Sequence, residues 1–89
     1  SGISEVMNNN KVILFPNPAV DFIAMALVNN QNLKGSVGVY SMVGEKLMEY
    51  AGIKNNKLKI DLTTLPVGGY FIKYDDGEGV SVKKFFKAN

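Results

Sequence analysis

Three stretches of the chain hold side chains whose types and spacing suit chemistry. The run "DDGEG" at 75–79 sets Asp75, Asp76 and Glu78 around a glycine, and clustered hard oxygens are what calcium takes. An EF-hand loop needs a longer ligand series with a closing glutamate, which this run lacks. Asp-Gly also supplies the positive φ of a tight hairpin connection, so a turn is the stronger reading. In "LPVGGY" (65–70) a tyrosine, Tyr70, follows two glycines. For catalysis it would need a partner to bring its pKa down from about 10, and the sequence marks none. The third stretch, "VKKFFK" (82–87), combines Lys83, Lys84 and Lys87 with Phe85 and Phe86. Nucleic acid or a membrane surface would suit that mixture. So would an edge strand guarded by lysine against edge-to-edge pairing, or a surface for a protein partner.

Composition decides among these chemistries. The 89 residues include no histidine and no cysteine. A Ser/His/Asp set, a thiolate nucleophile, a disulfide framework and the commonest zinc ligand are therefore all excluded. Paired carboxylates such as Asp61 and Asp75 are not marked as a pair by anything around them. Net charge is +2, and every basic residue is a lysine. Planar, bidentate recognition of phosphate favours arginine, so no nucleic-acid partner is expected. No catalytic, cofactor-binding or metal-ligating residue is assigned, and no cofactor.

The elements that carry these residues are short and extended. Hydrophobic content of 46% and charge of 20% suit one small folded domain. Apolar residues alternate with period two almost everywhere, and no stretch of helical length keeps helical spacing. Seven strands are predicted, at 11–15, 21–28, 35–42, 45–51, 57–62, 69–75 and 80–86, each bounded by turn residues. The second should bury Ile23, Met25 and Leu27, the fifth Leu58, Ile60 and Leu62, and the sixth Tyr70, Ile72 and Tyr74. The seventh breaks the alternation: Val80 and Val82 share a face that Lys84 then joins, while Phe85 and Phe86 are adjacent. Either a bulge shifts the phase or both faces are partly covered. Residues 1–10 read as a flexible linker, with a leading Ser1-Gly2 of cloning origin. They lack the basic and apolar segments of a secretory signal. No apolar run reaches the length of a membrane helix.

Between the strands lie three corners. In "FPNPA" (15–19), Pro16 and Pro18 flank Asn17, which stops pairing and suits an Asx-type turn. This is a rigid strand-to-strand corner or, being pre-ordered, a recognition surface. A cis bond is open to Pro18. Gly44 in "SMVGEKL" (41–47) marks a hairpin turn. In "LPVGGY", Leu65 anchors the connection, Pro66 ends the strand, and Gly68 and Gly69 allow the bend. Tyr70 stands where immunoglobulin-like sandwiches carry a tyrosine that bonds back to upstream backbone. The fold class that follows is all-β, a seven-stranded antiparallel immunoglobulin-like β-sandwich.

Taken in order, these motifs resemble the C-terminal sorting domain of the type IX (Por) secretion system, type A. That family opens with an aromatic-Pro-Asn-Pro-Ala motif, matched by "FPNPA". A mid-domain hairpin glycine is matched by Gly44 in "VYSMVGEKL". A later Ile-Asp-Leu…Leu-Pro…Gly…Tyr signature is matched by "IDLTTLPVGGYFIKY" (60–74), with Leu65, Gly68 and Tyr70, and a closing lysine-rich strand by "VKKFFK". The chain departs where Phe15 replaces the commoner tyrosine and where Gly69 replaces an apolar residue, which should loosen that corner slightly.

The resemblance implies a sorting domain at 11–89 carried behind a cargo protein in cis, which performs no reaction itself. It implies transit through the periplasm of a Gram-negative bacterium, then export across the outer membrane to the cell surface or the medium. The implied partners are the type IX translocon with its outer-membrane shuttle and sortase proteins, the sortase-like protease removing the domain. The last hairpin, 75–89, is expected to add a strand to a partner or to dock in a groove. Its expected sorting residues are Lys83, Lys84, Phe86 and Lys87, with Pro16, Asn17 and Pro18 at the first corner. Cleavage is expected within 1–10. Exposed strand edges leave room for a homodimer. The rival reading is an extracellular accessory module for carbohydrate or a cell-surface protein, with Tyr40 and Tyr50 as its only exposed tyrosines.

Overall fold

A computed structural model describes residues 11–89; the linker and cleavage segment expected at 1–10 lie outside the described residues. Seven strands follow in order: β1 (Val12–Phe15), β2 (Phe22–Leu27), β3 (Ser36–Ser41), β4 (Lys46–Ala51), β5 (Lys57–Asp61), β6 (Gly68–Asp75) and β7 (Val80–Lys87). They match the seven expected strands to within a residue or so at each end. Two sheets form, with strand orders β1-β2-β5 and β4-β3-β6-β7, and every neighbouring pair is antiparallel. This is the immunoglobulin-like sandwich.

The core lies between the sheets, where the period-two pattern puts it. Ile23, Met25 and Leu27 project from β2, Ile60 from β5, Val37 and Val39 from β3, and Tyr70, Ile72 and Tyr74 from β6. Leu62, just past β5, is fully buried, and Leu58 packs against the cluster. Tyr74 buries its ring but keeps its hydroxyl satisfied, since the Lys34 N–H donates to it at 3.0 Å. Ala24 and Ala26 are also buried although they point outward. Register sets Phe15 and Lys59 on either side of Ala24, and Ile13 and Lys57 on either side of Ala26. Lysine stems and apolar side chains thus roof this face, with the Lys59 ammonium 4.5 Å from the Phe22 ring centre.

The seventh strand resolves the ambiguity in its sequence. Pairing with β6 runs without a register shift from Asp75↔Val80 to Gly68↔Lys87, so no bulge is present. Ser81, Lys83 and Phe85 face inward, and Val80, Val82, Lys84 and Phe86 face outward. Both faces are partly covered, and the polar inward positions are accommodated individually. Phe85 is buried and stacks on Tyr70 with ring centres 5.6 Å apart. Lys83 turns its ammonium to the facing sheet, donating to the Val12 carbonyl at 3.1 Å. A bulge does occur in β4, where Val39 pairs Met48 and Tyr40 pairs Lys46, leaving Leu47 unmatched.

The turns follow the sequence reading. Gly44 has φ 93°, and its N–H donates to the Ser41 carbonyl at 3.0 Å. "DDGEG" forms the β6–β7 connection. Its carboxylates accept from the turn itself: Asp75 from the Gly77 N–H at 2.9 Å, and Asp76 from the Glu78 and Gly79 N–H groups at 2.8 Å. Asp61 and Asp75 sit on different sheets, Asp61 accepting from Thr63 and Asp75 from the hairpin. Both proline peptides of "FPNPA" are cis.

Candidate recognition surface

Most of the expected site residues gather at one end of the sandwich, where β1 leaves one sheet and β7 ends the other. After pairing with β2, β1 reaches Phe15, and Pro16 ends its ladder because it offers no N–H. Pro16, Asn17 and Pro18 are exposed. The chain then crosses to the second sheet and fastens on the outer edge of β7. Asn17 Oδ1 accepts from the Phe86 N–H at 3.3 Å, and the Ala19 N–H donates to the Phe86 carbonyl at 2.9 Å. The Ala88 N–H donates back to Ala19, which forms a parallel bridge with Lys87 and is fully buried. The corner is therefore both structural and exposed: its backbone closes a sheet edge while its two prolines face solvent.

The Tyr70 corner meets the same end. The Tyr70 hydroxyl donates to the Pro66 carbonyl, the upstream backbone bond that its position suggested. The Leu65 N–H donates to the Leu62 carbonyl at 3.0 Å, and Leu65 packs against the core. Gly68 has φ 154°, a conformation that L side chains rarely adopt. Gly69 leaves a hollow on the outer face, filled from either side: its missing Cβ would lie 3.3 Å from Met42 Sδ and 3.6 Å from Lys84 Cε. The surface around it is apolar and basic. Met42 is 50% exposed, Val67 52% and Phe86 46%, and Lys84 stands among them, exposed.

The expected sorting residues thus differ in surroundings. Lys84 and Phe86 face outward and are exposed, with Pro16, Asn17 and Pro18 adjoining through the Phe86 backbone. Lys83 and Lys87 are half-buried, and the Lys83 ammonium is already engaged by Val12. Gly44 lies at the β3–β4 hairpin. Tyr40 and Tyr50 are half-buried. The Tyr40 ring covers Gly38 and is flanked by the Lys46 and Lys73 ammoniums, each 5.9 Å from its centre.

Three features escaped the sequence reading. Ala19 is the clasp on β7, although nothing in an alanine announces that role. Lys83 spans the seam between the sheets. The signal for it was the hairpin: a connection over 76–79 pairs Val80 with Asp75, which puts Ser81 and Lys83 on the side of Tyr74 and Ile72. The third is an ion pair at the opposite end, where Lys11 Nζ lies 2.7 Å from Asp76 Oδ2. That contact and the turn N–H groups hold the Asp76 carboxyl down at about 2, and Asp76 in turn raises Lys11. Among the described residues, no cluster of potential metal ligands occurs.

The fold and this end define an immunoglobulin-like sandwich that presents a partly clasped strand edge beside an apolar and basic patch. The family model described as a secretion system C-terminal sorting domain matches residues 13–88. The chain belongs to that family, the type IX sorting domains that its motifs resemble, whose members are targeting modules and whose signal implies export to the cell surface or the medium. No curated protein matched the chain.

Proposed function

We propose that the chain is the address of a cargo protein joined upstream of Lys11. It takes that cargo from the periplasm through the type IX translocon across the outer membrane of a Gram-negative bacterium. A sortase-like protease then cuts the linker before β1. Shuttle and translocon proteins read the folded domain, and the domain catalyses nothing. The observation carrying this reading is the family match over 13–88, joined to a surface where the family's first and last motifs meet at Phe86. Within that surface Lys84 and Phe86 make the contacts, Pro16, Asn17 and Pro18 form its rim, and Lys83 and Lys87 hold β7 in place.

Lys84→Ala tests the reading most directly, because Lys84 is exposed and bears no described salt bridge. In a cargo protein ending in this chain, the variant should melt as the unaltered domain does and accumulate in the periplasm. Normal export would remove Lys84 from the surface that is read. Mass spectrometry of exported cargo should place the cut within 1–10; a cut inside 11–89 would contradict this account.

A further inference from the structure

The edge of β7 is closed over one half and open over the other. Phe86 spends its N–H on Asn17 and its carbonyl on Ala19, so its backbone turns away from β6. Along an antiparallel strand such outward positions alternate with those facing the neighbour. Lys84 and Val82 therefore turn their N–H and carbonyl groups outward as Phe86 does, while Ser81, Lys83 and Phe85 pair with β6. Among the described residues no strand lies beyond β7 in its sheet, and no backbone group outside β6 bonds Val82 or Lys84.

The other three edges are less receptive. β1 is four residues long, and its Val12 carbonyl is taken by Lys83. β4 is interrupted by the bulge at Leu47, a common way to blunt an edge. β5 is five residues long. β7 is eight residues long and runs straight against β6. Its free stretch, 80–84, is about 17 Å of extended chain.

We propose that this free stretch accepts a strand: a short extended segment of a partner protein pairs with the backbone of Val82 and Lys84 and sets a carboxylate against Lys84. Charge argues for a partner of that kind. On the outer face Lys84 stands exposed in the free stretch and Lys73 lies beside Val82 in register, with no acid among residues 80–84. A second copy of the chain would bring the same lysines to the same edge, where like charges oppose pairing. An acidic segment gains both the ladder bonds and the charge, which is recognition by strand addition. The clasp at Phe86 limits the added strand to about five residues. The open edge stands on geometry alone; that the partner belongs to the secretion machinery rests on the proposed sorting role.

Proline separates backbone recognition from side-chain recognition. Val82→Pro deletes one outward N–H and none that bonds β6, and edge positions tolerate proline. In a cargo protein ending in this chain, Val82→Pro should fold yet lower export by about tenfold, the loss of one or two hydrogen bonds. Lys84→Glu should lower it as well, and Lys84→Arg should retain it. Full export by folded Val82→Pro overturns the proposal. So does a dimer of the 89-residue chain that Val82→Pro dissolves, since the edge then serves a second copy. Should Val82→Pro fail to fold, amide hydrogen exchange of the unaltered chain decides. Val82 and Lys84 should exchange fast and Phe86 slowly, and slow exchange at Val82 and Lys84 overturns the open edge. Failure of the sorting reading is distinguishable: the unaltered cargo would then not be exported, while the exchange pattern would be unchanged.

Discussion

Tyr70 shows how one hydroxyl can hold a corner. Its ring is buried against Phe85 while its oxygen donates to the Pro66 carbonyl, fixing the path from β5 to β6. Tyr70→Phe keeps the ring and removes the bond, so stability should fall by about 1 kcal/mol. Thermal unfolding should then shift down by about 4–8 °C for a domain of this size. Export should survive, because the hydroxyl is turned to Pro66; lost export from the folded variant would make Tyr70 part of the surface that is read. Asp76 gives a second expectation, in pH. Its folded pKa of about 2 lies below the ordinary carboxylate value of about 3.9. The stabilisation is therefore complete above the ordinary value and is lost as pH falls through about 2 to 4. Lys11, raised by the same contact, loses its share only above the ordinary lysine range. Acid unfolding of Asp76→Asn should be less steep in that low window, as followed by circular dichroism. Tyr70 was legible because its neighbours in sequence are its neighbours in space. Lys11 and Asp76 were not, because 65 residues separate them and only the fold brings them together.

At the scale of elements, strand identity was written plainly and strand partnership was not. β5 alternates as Lys57, Leu58, Lys59, Ile60, Asp61, and one face of it can only be core. Which strands share a sheet depends on crossovers that alternation does not encode. In β7 the pattern left two readings open, a bulge or two partly covered faces, because Lys84 follows Val80 and Val82 on one face; the structure takes the second. The hairpin decides between them: its length fixes the register, and the register sends Lys83 inward to find the Val12 carbonyl. Gly35 marks another close approach, where β3 begins. It has φ 86°, and a Cβ there would overlap the Asp75 carbonyl. Gly35→Ala should destabilise by about 1–3 kcal/mol, the scale of a strained backbone position. Denaturant unfolding of the purified variant measures it, and a change under half a kcal/mol would mean that β3 and β6 separate easily.

For the whole molecule, the sandwich and its family were legible because the corner motifs and the spacing between them reflect one topology. The surface was only partly legible. An edge strand guarded by lysine was one sequence reading of β7, but an edge is a property of neighbours, and no residue of β7 reveals that Asn17 and Ala19 close half of it. Motifs near opposite ends of the chain are joined there, "FPNPA" to "VKKFFK", so a defect in either should loosen the same end.

The Lys11–Asp76 contact also gives the molecule a direction. The described chain enters at the β6–β7 hairpin and leaves beside Ala19, at the other end of β7. Eight residues of extended strand separate the two ends by about 25 Å. The point where the described chain joins the fold thus lies at the far end of β7 from Phe86 and the prolines. On the sorting role proposed above, passenger and label would attach at opposite ends of one strand, so that a change of passenger need not alter the label.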